Sequence, residues 1–158
     1  MSAVESSRSG RTAYKWIALS NTTLGILMAT INSSILMIAL PDIFRGIKLN
    51  PLSPGNTPYF LWILMGFLLV TSVLVVSLGR IGDIYGRVRM FNLGFGVFTF
   101  FSVLLSITCL HGTHGALWIV VMRLGQGLGG ACVLANSSAI VTDAFPANQR
   151  GTALGVNM

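Results

Sequence analysis

The chain has 158 residues, 53% of them apolar and 9% charged, with 10 Lys and Arg against 4 Asp and Glu. A soluble domain carries about 25% charged residues, and so few charges cannot cover a water-facing fold. That composition excludes a soluble enzyme, a disulfide-stapled secreted domain and a disordered tail, and leaves an all-α integral membrane protein.

The net charge of +6 is spread over single Lys and Arg residues, without the basic stripe that nucleic acid binding needs, so no nucleic acid partner is expected. A spanning helix takes about 20 mainly apolar residues, and four stretches qualify. Residues 1–15 read as a basic tail carrying Arg8, Arg11 and Lys15, followed by an uncharged first span over 16–41. That apolar run is too long for a cleaved signal peptide. Within it Asn21 and Asn32 lie 11 residues apart and share a helical face with Gly25. Asn32 stands eight residues from Leu40, about 12 Å deep at the rise of a helix.

Pro41, Pro51, Pro54 and Pro58 separate this span from the second, over 59–78, and no proline is expected inside a span. Residues 79–90 then read GRIGDIYGRVRM, a tight turn in which Gly79, Gly82 and Gly86 permit close helix approach or positive φ. Asp83 is the only acid among Arg80, Arg87 and Arg89. It can cap a helix or pair with Arg87, tying helix ends together; the plainer alternative is a basic loop with turn glycines. The third span is expected over 91–110. His111 to Gly115 forms a turn, where His111 and His114 are too few to hold a metal.

The fourth span, 116–141, contains Arg123, seven residues in from Ala116 and about 10 Å deep. Arginine in lipid costs about 2.5–3.5 kcal/mol on insertion scales, so it is expected to face protein or water. Arg123, Gln126, Gly127, Gly130, Leu134, Ser137 and Ser138 share one face, and Gly125 and Gly129 form a small-xxx-small pair for close packing. If spans one and four are neighbours, the Asn32 carbonyl oxygen can accept from the Arg123 guanidinium; the alternative is an ordinary interhelical hydrogen bond. Residues 125–130 also fit G-x-G-x-x-G. Lying inside an apolar helix without a preceding strand, they are not read as a dinucleotide site, and no cofactor, metal or catalytic residue is expected. Cys109 and Cys132 fall at different depths and are read as small packing residues. A polar loop with Asp143 follows, and 152–158 begin a fifth span. Arg8, Arg11, Lys15, Arg80, Arg87, Arg89 and Arg150 fall on one side, Arg45 and Lys48 on the other. The N-terminus is therefore expected to be cytoplasmic, in a multi-pass protein of the cell membrane.

The loop Gly79…Asp83…Gly86-Arg87 resembles the signature between helices two and three of the major facilitator superfamily. Span four, with Arg123 followed by Gln126-Gly127-Leu128-Gly129, is similar to its second signature, and Ala39-Leu40-Pro41 to the first-helix signature of its multidrug-efflux, fourteen-helix branch. The resemblance runs from about Trp16 to Met158. It implies a secondary transporter working by alternating access, with efflux of drugs or other small molecules as its expected activity. Asn32, Arg123, Gln126 and Gly127 would lie along the transport path, with Arg123 in proton coupling. Gly79, Asp83, Gly86, Arg87 and Arg89 would form an inner-face gating motif, joined by Asp143. The pattern departs from the family at Asn32, where an acid is usual, at Ser34 and Met37, and at Ile84 and Val88. Family members have twelve or fourteen helices built from repeats, so this reading makes the chain a truncated or split N-terminal portion, inactive alone. Its partners would be the lipid bilayer, the remaining helices or a second copy, and a small-molecule substrate. The rivals are a small four-helix exporter acting as an oligomer and a non-transporting four-span interaction subunit; proximity of Asn32 to Arg123 favours the transporter bundle over the scaffold.

Overall fold

The computed structural model describes residues 2–48, 50, 53, 55–107 and 111–158, with side chains described from Tyr14 onward. Every regular element among them is an α-helix: α1 Ser2–Gly46, α2 Thr57–Tyr85, α3 Arg87–Ser106, α4 Gly112–Ala144 and α5 Arg150–Asn157. The first four contain stretches long and apolar enough to cross a membrane, and α5 covers the residues where a fifth span was expected to begin.

α4 is the axis of the bundle. Of its most apolar stretch 56% is buried, against 22%, 22% and 17% in α1, α2 and α3, which pack around it. Its buried residues cover most of its circumference, from Gly115 and Ala116 through Cys132 and Val133 to Val141, while Leu117, Val121 and Leu128 keep one face exposed. A helix packed over most of its surface shows no narrow apolar stripe.

α1, α2 and α4 run longer than the apolar runs that seed them. α1 starts at Ser2 rather than Trp16, so the backbone of the expected tail is helical. It also passes through Pro41 to Gly46, contrary to the expectation that proline ends the span. Proline removes one ladder donor and crowds the carbonyl four residues back, but the apolar register outlasts it. Leu36, Leu40, Phe44 and Ile47 keep one face turned to Ile63 of α2 and to Ala116 and Ile119 of α4, where Phe44 is fully enclosed. Gly112 N–H donates to Ile47 O at 2.8 Å, so the expected turn at 111–115 shrinks to its first residues and α4 starts at Gly112. α3 ends at Ser106, and residues 108–110, with Cys109, lie outside the described residues.

The glycine-rich segment is not a loop either. Gly79 to Tyr85 complete α2, and the reversal into α3 takes place at Gly86, whose φ is 101°. L-residues seldom adopt that region. At the same end of the bundle Trp16 stacks edge-on against Phe145, with ring centroids 6.2 Å apart, and Phe145 is extended before Pro146, as residues preceding proline prefer. Leu19, Val141, Phe145 and Ala153 close the core there.

Candidate functional site

Two constellations lie at different depths. The first is at the Gly86 end. The Arg87 guanidinium donates from Nε to Asp83 Oδ1 at 2.8 Å and from Nη1 to Asp143 Oδ2 at 2.7 Å, and reaches the Ala139 carbonyl at 3.3 Å. One side chain thus joins the ends of α2, α3 and α4. Arg87 is the first residue of α3, whereas Asp83 and Asp143 lie in the last turns of α2 and α4. Each charge sits at the unfavourable end of its own helix dipole but faces the favourable end of its neighbours. The carboxylates are more than half exposed, at 56% and 64%, so each ion pair contributes about 0.2–1 kcal/mol at most. A clasp of that strength holds three helix ends together and still opens readily.

The glycines of this segment divide the work. A Cβ on Gly82 would collide with the Asn136 amide, so α2 and α4 meet there at a separation only glycine allows. Gly86 supplies the positive φ, and Gly79 makes ordinary contact with Ala135. Arg89 is exposed on the rim and joins no ion pair among the described residues. With Tyr14, Asp83, Arg87 and Asp143 it lines an open depression of about 670 Å³.

The second constellation is in mid-helix. Arg123 is 4% exposed, and its Nη1 donates to Asn32 Oδ1 at 3.1 Å. Spans one and four are therefore neighbours, and the amide oxygen accepts from the guanidinium as the matched depths suggested. Arg123 lies between two cavities. One, of about 250 Å³, is bounded by Leu36, Ile43, Ile47, Ile119 and His111; the other, of about 300 Å³, by Ser33, Met37, Met65, Phe67 and Leu68. Arg123 Nε and Asn32 Nδ2 are buried and make no hydrogen bond among the described residues.

Gln126 and Gly127 do not join this pair. Gln126 Nε2 donates to Ser102 Oγ of α3 at 2.7 Å. Gly127 lies against Phe67 and Val70 of α2, its carbonyl accepting from Thr71 Oγ1 at 3.2 Å. The residues grouped on one face by helical spacing are divided among α1, α2 and α3, which pack around α4. The G-x-G-x-x-G run is likewise a packing device, with Gly125 against Phe101 and Gly129 against the backbone of Gly94 and Phe98.

Sequence reasoning passed over a third polar group. Asn157 of α5 donates to Ser137 Oγ at 3.1 Å and accepts from Thr23 at 3.3 Å, joining α1, α4 and α5 through two buried residues and the half-buried Thr23. Its signal was three uncharged polar residues inside apolar runs, which do not reveal their partners.

Residues 22–158 match the family model of the Major Facilitator Superfamily. Among curated relatives, the riboflavin transporter RibZ of Clostridioides difficile is 33% identical over 90% of this chain and 29% of its own length. The multidrug resistance protein Stp of Mycobacterium tuberculosis is 33% identical over 89% of the chain and 24% of its own. The tetracenomycin C resistance and export protein of Streptomyces glaucescens is 28% identical over 94% and 26%. The chain thus spans about a quarter of the length of these relatives. No solved structure matches it.

Proposed function

The chain belongs to the Major Facilitator Superfamily, and from that premise we propose that it forms the N-terminal helices of a secondary carrier that exports small molecules by alternating access. The observation that carries this reading is the Arg87 clasp across α2, α3 and α4. Rocking one bundle against another requires contacts at one face that hold in one state and release in the other, and a solvated ion-pair network meets that need. Asp83, Arg87 and Asp143 are its charged members, Gly82 and Gly86 set its geometry, and Arg89 adds positive potential at the rim.

In this reading the Gly86 end faces the cytoplasm of a cell membrane, where the excess of Lys and Arg belongs. Asn32 and Arg123 stand on the path, and the function is transport, without chemical change to the substrate. The contact between Asn32 and Arg123 favours a transporter bundle over an inert scaffold. Further helices, from the same or another polypeptide, complete the path, since two halves are needed to enclose a substrate between them.

The test is ethidium efflux in a bacterial host stripped of its own exporters. The 158-residue chain alone is expected to confer none, whereas a hybrid completed with the remaining helices of a related exporter restores it, and Arg87→Gln in the hybrid reduces efflux by about tenfold, as breaking a two-state clasp would. A purified chain that moves solute unaided in liposomes would overturn the need for further helices, and a membrane-inserted hybrid that never transports would overturn the transport reading.

A further inference from the structure

We propose that Arg123 is the docking point for the anionic group of a small carboxylate solute with an apolar body. This deepens the transport reading by giving it a substrate class. Among the described residues the charge around Arg123 is unbalanced. Asp42, Asp83 and Asp143, the acids whose side chains are described, pair with Arg45 and Arg87 instead, and the partner of Arg123 is the neutral Asn32. A guanidinium buried to 96% needs an anion or dense hydrogen bonding to remain there; the exposure is 4%.

The hydrogen bonding is short of acceptors and has donors to spare. Asn32 Oδ1 serves Nη1, while Arg123 Nε and Asn32 Nδ2, both buried and both donors, have no acceptor among the described residues. Arg123 lines both cavities with a positive charge that lacks an anion, and a carboxylate is the planar acceptor that guanidinium binds best. The space on either side is largely apolar: Leu36, Ile43 and Ile119 beside His111 in one cavity, Met65, Phe67 and Leu68 beside Ser33 and Ser34 in the other. Volumes of about 250 and 300 Å³ suit a single ring or short aliphatic body on that carboxylate.

The probe is radiolabelled benzoate, with benzamide as its neutral counterpart, bound to the chain in lipid nanodiscs at pH 7. Benzoate is expected to bind at least about tenfold more tightly than benzamide, the margin of a charge-assisted pair over a neutral one. Arg123→Lys should keep part of the preference and Arg123→Gln should abolish it. Asn32→Asp, which places an internal carboxylate on the guanidinium, should abolish it while leaving Arg123 in place; helicity by circular dichroism checks that each variant folds. Arg45→Gln, at an exposed pair, should change nothing. Equal binding of the two probes, absence of benzoate binding, or a preference that survives both Arg123→Gln and Asn32→Asp would overturn the inference. Ethidium carries no carboxylate, so its export by the hybrid carrier reports on the transport reading separately.

Discussion

Four glycines of α4 face two neighbours. Gly125 and Gly129 let α3 approach, while Gly127 and Gly130 accept Phe67 and Val70 of α2. The closest approach of backbone is at Gly129, where an added Cβ would lie 2.6 Å from Phe98 N and 2.8 Å from Gly94 O. Backbone cannot swing aside as a side chain can. Gly129→Ala is therefore expected to destabilise the bundle by about 1–3 kcal/mol, the cost of overpacking, measured by denaturant titration in mixed micelles. Gly151→Ala, where a Cβ meets nothing within 4 Å, should be neutral or stabilising by up to about 1 kcal/mol, since alanine is the better helix former. An alanine at 129 that leaves stability unchanged would show that α3 and α4 are further apart than described. The 125/129 pair was readable from spacing alone; the second pair was not, because 127 and 130 had been assigned with Arg123 to a polar face.

At the scale of elements, the turn between α2 and α3 shows how little chain a membrane hairpin needs. Gly86 alone reverses the direction, at φ 101°, and the same reversal brings Arg87 within reach of Asp83 and Asp143. Gly86→Ala forces a residue with a Cβ into a left-handed backbone, at a cost of about 1–2 kcal/mol. Asp143→Asn removes one solvated ion pair and should cost no more than about 1 kcal/mol. The same micelle titration checks both, and the order of the two effects is the prediction: a larger loss from Asp143→Asn would mean the clasp is buried in the bilayer interface. The pairing of Asp83 with Arg87 was legible because the two are four residues apart, on either side of the glycine turn. The participation of Asp143 came only from resemblance, 56 residues away in sequence. α1 carries a related lesson at Pro41. Proline counted against helix locally, but the spacing 36, 40, 44, 47 held one face to α2 and α4, and packing outweighed one lost hydrogen bond.

For the whole molecule, four crossings return the chain to the side from which it started. Single cysteines introduced at Ser53, between α1 and α2, and at Gln149, between α4 and α5, in a chain otherwise free of cysteine should therefore label from opposite sides of the membrane. With the orientation proposed above, a membrane-impermeant maleimide added to intact cells modifies the cysteine at 53 and spares the one at 149 until the cells are opened. Labelling at both positions in intact cells would contradict either the number of crossings or their direction.

Hydropathy and the rise of a helix are properties along a line, and what they govern was settled without the fold. The membrane class, the four spans and the matched depths of Asn32 and Arg123 follow from counting residues along the chain. What the tertiary structure decided is angular: which side of each helix meets which neighbour. Apolar residues spread around α4 with polar ones among them, so no stripe marks its orientation, and only the arrangement of α1, α2 and α3 around it sends Arg123 to Asn32, Gln126 to Ser102 and Gly127 to Phe67 and Val70. Side chains at neighbouring heights on one helix part company there because a central helix has a different partner in each direction.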